Sequence, residues 1–371
     1  MTDRLEALYF NTPAVILGHG YIGELLGKTA HGLLMHSRLF QIRAVVDRCK
    51  AGQSTRRICP GVIRDVPILA SIREIVAFDP RAVILIGNPE EYNREELQFG
   101  IEHGMDLINS SFSLLNRCPW LVSAASRSGA RLLDLRDVRL GWREADGSIL
   151  DIQAKVVYVM GTDCGLGKRT AAFELTMEAK RRGIRAAFAA TGQTGMMIGA
   201  DAAIIYDTIP TNFAAGAVEK MITDLDRQGF ELIFLEGQAS IRHFGYSASI
   251  GLLHASNPHA IILVHDPGRA MHAAMPNRSI YRMGNVRDEI DLIHRLTLPG
   301  GNAFRVVGMA TIGRQNIHLL RSDLNLPAAD VRQDQGAAVL LDAVLDHLAV
   351  TYQWQPAHQD KHLAEIIIGD R

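Results

Sequence analysis

Cysteine is scarce. There are four in 371 residues, and none forms a Cys-x-x-Cys pair. That excludes a disulfide framework and a paired-cysteine metal knuckle. Excess charge of either sign is absent too: Lys plus Arg is 39, Asp plus Glu is 40, and the net charge is -1. No basic surplus is available for sequence-blind nucleic-acid binding, and no block of like charge marks a tail for acidic partners. Uninterrupted apolar runs of 18 residues are missing, and the opening MTDRLEALYF has no basic stretch followed by an apolar one. Membrane spanning and secretion are therefore not expected, and the cytoplasm is the expected compartment. What the chain does have is 47% hydrophobic residues and 21% charged ones, the balance of a packed soluble protein. Its 33 glycines anticipate loops where backbone approaches a ligand closely. The length suggests two domains.

Short β-branched runs alternate with helical stretches. Strands are expected at Ala14–Leu17, Ile42–Val46, Ala82–Ile86, Met105–Ile108, Arg131–Asp134, Val156–Met160, Arg185–Ala189, Ala202–Ile205, Leu232–Leu235, Ala260–Val264 and Phe304–Gly308. Most are continuous apolar runs, the pattern of parallel strands buried on both faces. Helices are expected at Ile22–Met35, Arg169–Arg181, Ala214–Asp226 and Gly336–Leu348. The class is α/β. A polar stretch near 140–154 separates two regions that each restart with a strand and a glycine loop. This gives a first domain over 1–145, a second over 150–350 and a tail over 351–371. The tail is His- and Gln-rich, with an apolar EIIIG near its end.

In the first region, Ala14–Leu17 leads into Gly18-His19-Gly20-Tyr21-Ile22-Gly23. G-x-G-x-x-G between a strand and a helix is the context of a dinucleotide-type turn. Asp47 ends the next strand, where a ribose-binding carboxylate would sit. A Rossmann-like fold is expected, without a hydride-transfer set to go with it. Gly27-Lys28-Thr29 imitates a phosphate motif, but the expected helix puts Gly27 in its interior, so Lys28 reads as a solvated lysine.

The second region carries the sharper signal, KVVYVMGTDCGLGKRTAAFELTMEAKRRG. A buried strand runs into Gly161, Thr162, Asp163, Cys164, Gly165, Leu166, Gly167 and Lys168, and then into a helix through Arg169 and Thr170. Successive backbone N–H groups in such a loop wrap a phosphate, the helix N-terminus adds positive potential, and the lysine reaches the anionic oxygens. Arg169 stands where magnesium-dependent loops carry Ser or Thr, and a guanidinium cannot ligate a cation. Three explanations stay open: Thr170 moves into service, carboxylates hold magnesium, or the ligand needs none, as with the pyrophosphate of coenzyme A. Arg169 itself pairs with phosphate oxygens or faces solvent.

In a parallel sheet the loops after each strand gather at one end, where ligands bind. They are 161–170, 191–195, 236–246 and His265–Arg269. The titratable candidates within reach are Asp163, Lys168, Glu236, His243, Tyr246, His254, His265, Asp266 and Arg269. Glu236, His243, His254 and His265 are the candidate bases. Gln193, Thr194, Gln238, Tyr246 and Arg269 are the candidates for substrate contact. No metal site is expected.

The long loop opening Gly-Thr-Asp resembles that of the dethiobiotin synthetase family. That likeness implies that Asp163 faces the reacting groups and that Glu236-Gly237 matches an acidic strand tip. GTDCGLGKRT, ATGQTGMMIGADAAI, NFAAGAVE, EGQASIRHFGY and HDPGR, with GKTAHGLL and PILASIREI ahead of them, resemble more specifically the D-glutamate N-acetyltransferase-like family. In that family a Rossmann-like half precedes a phosphate-loop half. The likeness covers about residues 14–320 and departs at Ala239 and at Ser110–Phe112. It implies an acetyl-CoA-dependent N-acyltransferase acting on a small amino acid, with the loop holding the CoA phosphates. The residues alone favour the alternative, an ATP–magnesium enzyme activating a small carboxylate, with Asp163 and Glu236 on the metal. The expected partners are a small amino acid or carboxylate and further copies of the chain, with no nucleic acid and no membrane.

Overall fold

The computed structural model describes residues 2–24, 27–59, 61–137, 143–273, 281–296 and 298–357. The expected junction falls partly outside them, at 140–142, and the apolar EIIIG segment of the tail falls wholly outside. Among the described residues, no helix is long and apolar enough to cross a membrane. The chain divides into two compact units: Met1–Leu140 with Gly192–Thr208, and Gly141–Thr191 with Ile209–Arg371.

The first unit is built on β1 (Thr12–Leu17), β2 (Phe40–Val46), β3 (Ile68–Leu69), β4 (Ala82–Leu85), β5 (Asp106–Asn109) and β6 (Leu132–Asp134). They form a parallel sheet in the order β3-β2-β1-β4-β5-β6. Both faces are covered, which is why the strands read as continuous apolar runs. Val15, Leu17, Val83 and Leu107 pack with Leu97, Ile101 and Leu121 from the helices. The order reverses between β1 and β4, the switch point of a doubly wound sheet.

The expected helix from Ile22 is not formed there. Gly18 to Glu24 is a chain of tight turns, with Tyr21 N bonded to Gly18 O and Glu24 N to Tyr21 O, and Gly27 N reaches Glu24 O. The helix begins only at Lys28 and runs Lys28–His36. Gly27 is therefore not in a helix interior. It lies under the Tyr21 carbonyl, where a Cβ would sit 1.9 Å from the oxygen. Lys28 is exposed, as a solvated lysine would be. The Asp47 carboxylate is buried and accepts from Gly20 N of the glycine turn (3.1 Å) and from Cys49 N of its own turn (3.0 Å).

The second unit begins with β7 (Lys155–Gly161) and β8 (Ala186–Ala190). Residues 192–208 then return to the first unit, whereas the sequence places them in the second domain. Thr194 Oγ1 lies 2.9 Å from Thr29 Oγ1, Arg38 N donates to Ile198 O, and Arg136 bonds both Gln193 Oε1 and Asp207. This stretch holds the helix Gln193–Ile198 and the short β9 (Ala202–Ala203). β10 (Leu232–Glu236), β11 (Ala260–Val264), β12 (Val306–Ala310) and β13 (Ala328–Ala329) complete the second unit, in the parallel order β13-β12-β11-β7-β10-β8. Central β7 is flanked by β10 and β11, so its C-terminal loop lies between the ends of both. Strands β3 and β13 are two residues each, too short to announce themselves by periodicity.

The polar connector is held by the helix Thr211–Arg227. The buried Glu219 carboxylate accepts from the amides of Asp146 and Gly147, both at 2.9 Å. Gly216 makes room for it, since a Cβ there would lie 2.1 Å from Arg143 O.

At the other end of β7, buried His259 accepts from Val156 N through Nδ1 at 3.1 Å. Burial, with Lys155 and His347 nearby, pushes its pKa down from the ordinary 6.5 to about 3. His259 is thus neutral when folded and gains a proton on unfolding in acid. Its contribution is complete above about pH 6.5 and is lost as pH falls towards 3, on the order of 4 kcal/mol in all. The melting temperature is expected to drop between pH 6.5 and 4, and His259→Gln to flatten that slope. Parallel pH–melting curves for the two proteins would refute the assignment.

Candidate functional site

The loop after β7 begins at Gly161 and ends at Gly167, which caps the helix Lys168–Arg181. Gly165 (φ 67°) and Gly167 (φ 97°) occupy left-handed backbone that L side chains resist. Gly161 is required for another reason. The Lys168 stem passes over it, and a Cβ there would lie 2.8 Å from Lys168 Cδ. The buried Lys168 ammonium donates to Asp163 O at 2.6 Å, so it reaches back over the loop it serves. Thr162 Oγ1 lies 2.8 Å from His265 Nδ1. Arg169 is half-buried beside the Glu236 carboxylate, which corrects the solvent-facing reading. Burial lowers its pKa, and Glu236 opposes that shift.

Asp163 is fully buried. Burial alone would raise its pKa, but the amides of Ala273 and Cys164, with Arg269 and His272, outweigh it and hold the carboxyl below its usual value. Oδ2 accepts from Ala273 N (2.7 Å) and Arg269 Nη1 (2.9 Å). Oδ1 lies 3.1 Å from His272 Nδ1 and 3.7 Å from His243 Nε2. The two imidazoles meet edge to face with centroids 4.7 Å apart, and Tyr246 packs on His243 at 4.7 Å. Burial lowers the His243 pKa, helped by His272 and Lys168 and opposed by Asp163.

Asp163, His243 and His272 present ligand-type atoms within 4.8 Å of one another. The hydrogen bond at His243 Nδ1 speaks against a metal on its Nε2. Gly245 N donates to His243 Nδ1 at 3.0 Å, so neutral His243 carries its hydrogen on Nε2, the atom facing Asp163. A metal on Nε2 would force the hydrogen to Nδ1, against the Gly245 N–H. Metal-bound histidines do the opposite and donate their other N–H to an acceptor.

His272 also lines a cavity of about 140 Å³, with Thr162, Ser240, Arg242, Gly284 and Asn285 among its walls. Arg242 lies flat against Gly284, where a Cβ would sit 2.9 Å from its Nη2. Buried Glu289 accepts from Ser240 Oγ (2.6 Å) and Ile241 N (3.1 Å) behind it.

The structure gathers Asp163, Lys168, His243, Tyr246 and Arg269 at this loop, with His265 next to Thr162. Glu236 and Gln238 instead bond Thr191: its N–H reaches Glu236 Oε2 at 3.3 Å, and Gln238 Nε2 donates to its Oγ1 at 3.0 Å. Asp266 turns to Gly268 N and Asn316. His254 does not belong to the site. It lies in the last turn of the helix Ala248–Ser256, which runs back along the sheet from the strand ends, and it stacks on Phe304. Gln193 and Thr194 lie in the first unit, where they bond Arg136 and Thr29. His272 was not among the sequence candidates, since it lies beyond the HDPGR motif. Its only sequence signal is that it follows Arg269 by three residues on the same loop.

A family model described as the DUF1611 C-terminal P-loop domain, of unknown function, matches residues 143–341. The DUF1611 N-terminal Rossmann-like domain matches residues 48–138. The chain belongs to the DUF1611 family. A crystal structure of a DUF1611 family protein from Anabaena variabilis is 31% identical, with a TM-score of 0.82 over 91% of this chain and 100% of that one. A protein named D-glutamate N-acetyltransferase from Tritonibacter scottomollicae is 31% identical over 254 residues, 66% of this chain and 73% of the relative. One of the same name from a Pseudoalteromonas species is 31% identical over 183 residues, 48% of this chain and 54% of the relative.

Gly161→Ala is expected to displace the Lys168 stem. The variant should melt within a few degrees of the wild type yet bind inorganic pyrophosphate about tenfold more weakly by calorimetry, since a charge-assisted contact contributes roughly 1.5–3 kcal/mol. Unchanged pyrophosphate affinity would show that Lys168 does not serve this loop as an anion contact.

Proposed function

We propose that the chain is an N-acetyltransferase that acetylates the amino group of a small amino acid, with acetyl-CoA as donor and residues 161–170 holding the CoA phosphates. The names of its two relatives support the reaction class, and an acidic amino acid such as D-glutamate is the first substrate to try. The observation that carries the donor assignment is Arg169. A half-buried guanidinium, charge-balanced by Glu236, stands where magnesium-nucleotide loops need a hydroxyl. It favours a phosphate group that is held and not cleaved.

The loop fits such a group. Left-handed glycines at 165 and 167, a helix N-terminus and the Lys168 ammonium come together in this loop, a combination that favours an anion without a metal. Acetyl-CoA supplies, when bound, an activated acetyl carbonyl and a thiolate leaving group. Lys168 and Arg169 pair with phosphate oxygens and fix the position of the thioester, while the amino acid occupies the adjacent cavity lined by Ser240 and Arg242. The ATP–magnesium alternative needs Asp163 and Glu236 on a metal. Asp163 is instead turned to Arg269, Ala273 and His272, and Glu236 to Thr191.

Calorimetry is expected to show acetyl-CoA binding that ATP–magnesium does not displace, with Lys168→Ala weakening it at least tenfold. Incubation with acetyl-CoA and D-glutamate, tried beside L-glutamate and other amino acids, should release free thiol and yield an N-acetylated product by mass spectrometry. Amino-acid-dependent ADP formation from ATP, without thiol release from acetyl-CoA, would overturn the proposal.

A further inference from the structure

We propose that Asp163 and His272 form a general-base dyad in which His272 Nε2 takes the proton from the attacking amine. This deepens the acetyltransferase reading and rests on it for the chemical step. The pairing itself rests only on geometry.

Two histidines reach Asp163, and their hydrogen positions give them different roles. The His243 Nδ1 lone pair receives the Gly245 N–H at 3.0 Å, so its hydrogen belongs on Nε2, which lies 3.7 Å from Asp163 Oδ1 without bonding it. Neutral His243 has no lone pair left to accept a proton, and protonation at Nδ1 would set two N–H groups against each other. It is a packing neighbour of the carboxylate: its Nε2 is buried, makes no hydrogen bond among the described residues and stands 3.7 Å from Asp163 Oδ1. His272 is arranged the other way. The ionised Asp163 carboxylate can only accept, so the 3.1 Å contact to Nδ1 puts the His272 hydrogen on Nδ1. The lone pair then lies on Nε2, in a ring that lines the cavity with Thr162 and Ser240. An imidazole held by a buried carboxylate, with its far nitrogen available at a cavity, is the arrangement of a general base whose cation the carboxylate stabilises.

The carboxylate is rigid because it is bound on every side. Arg269 and the Ala273 amide hold Oδ2, and both lie on the same loop as His272. Among the described residues, Asp163, His243 and Tyr281 face His272, Arg242, Arg282 and the buried Glu289 line the same cavity, and Lys168 lies beyond His243.

In the step, the amine nitrogen forms a bond to the acetyl carbonyl carbon as its proton passes to His272 Nε2. The carbon–sulfur bond then breaks, and the departing thiolate takes that proton back. The products are the acetylated amine and free CoA thiol. No oxidant, metal or further reactant enters the balance.

The test combines kinetics with a measurement that needs no activity. Nitrogen-15 NMR of the histidine rings in the wild-type protein at high pH should show His272 protonated at Nδ1 and His243 at Nε2. His272→Gln should lower kcat about 10²–10⁴-fold, abolish the acidic limb of the pH profile of kcat/KM, and leave acetyl-CoA affinity within about twofold by calorimetry. Asp163→Asn should also lower kcat and remove the Nδ1–H signature of His272. If Asp163→Asn does not fold, the wild-type spectrum and His272→Gln still decide. A His272 hydrogen on Nε2, or an active His272→Gln enzyme with an unchanged pH profile, overturns the dyad. A wild-type protein that binds no acetyl-CoA overturns the acetyltransferase reading instead, and the ring spectrum still decides whether the pairing exists.

Discussion

A fully buried carboxylate must be compensated, and Asp163 shows how much structure that demands. An unpaired charge in the interior is heavily disfavoured. Here two amides, a guanidinium and an imidazole surround one side chain at the turn after β7. Apart from the Cys164 amide, the partners come from more than a hundred residues downstream: Arg269, His272 and the Ala273 amide are 106, 109 and 110 positions away. The loop after β11 is thus fastened to the loop after β7 by charge-assisted hydrogen bonds, and the shape of the site follows from that attachment.

The same attachment separates the two anionic positions of the second unit. Glu236, at the tip of β10, is turned towards Thr191 and Arg169, on one side of the loop. Asp163 faces the histidines on the other side. A magnesium site would need carboxylates gathered round one point with their lone pairs available. This arrangement sets Lys168 and Arg169 at the start of the helix after the loop, next to a polar cavity that Thr162, Ser240 and Arg242 line. Neutral histidines complete the setting. Burial lowers the pKa of His243, His259 and His265 alike, so the second unit is packed around imidazoles that unfolding in acid would charge.

Much of the fold was legible because it is written locally. Continuous apolar runs located β1, β4, β7, β10 and β11 within a residue or two, since a strand covered on both faces must be apolar at every position. The phosphate loop was legible because Gly161 and Gly167 answer to backbone and side-chain geometry within the loop itself. The helix start near Gly23 was misread because three-residue turns and a first helical turn share the same glycine-rich composition. Only the approach of Gly27 to the Tyr21 carbonyl distinguishes them. His254 was counted among the histidines at the strand ends, whereas the helix Ala248–Ser256 carries it away from them.

The amino-acid order by itself determined two parallel-sheet units, each opening on a glycine loop, and a phosphate-type turn with an arginine where a hydroxyl is usual. Those features depend on contacts within a few residues. Tertiary structure alone decided that 192–208 belongs to the first unit and that Asp163 meets His272 and Arg269. A hydrogen bond between loops a hundred residues apart exists only once both strand ends are in place, and nothing local to either loop specifies which partner it will meet.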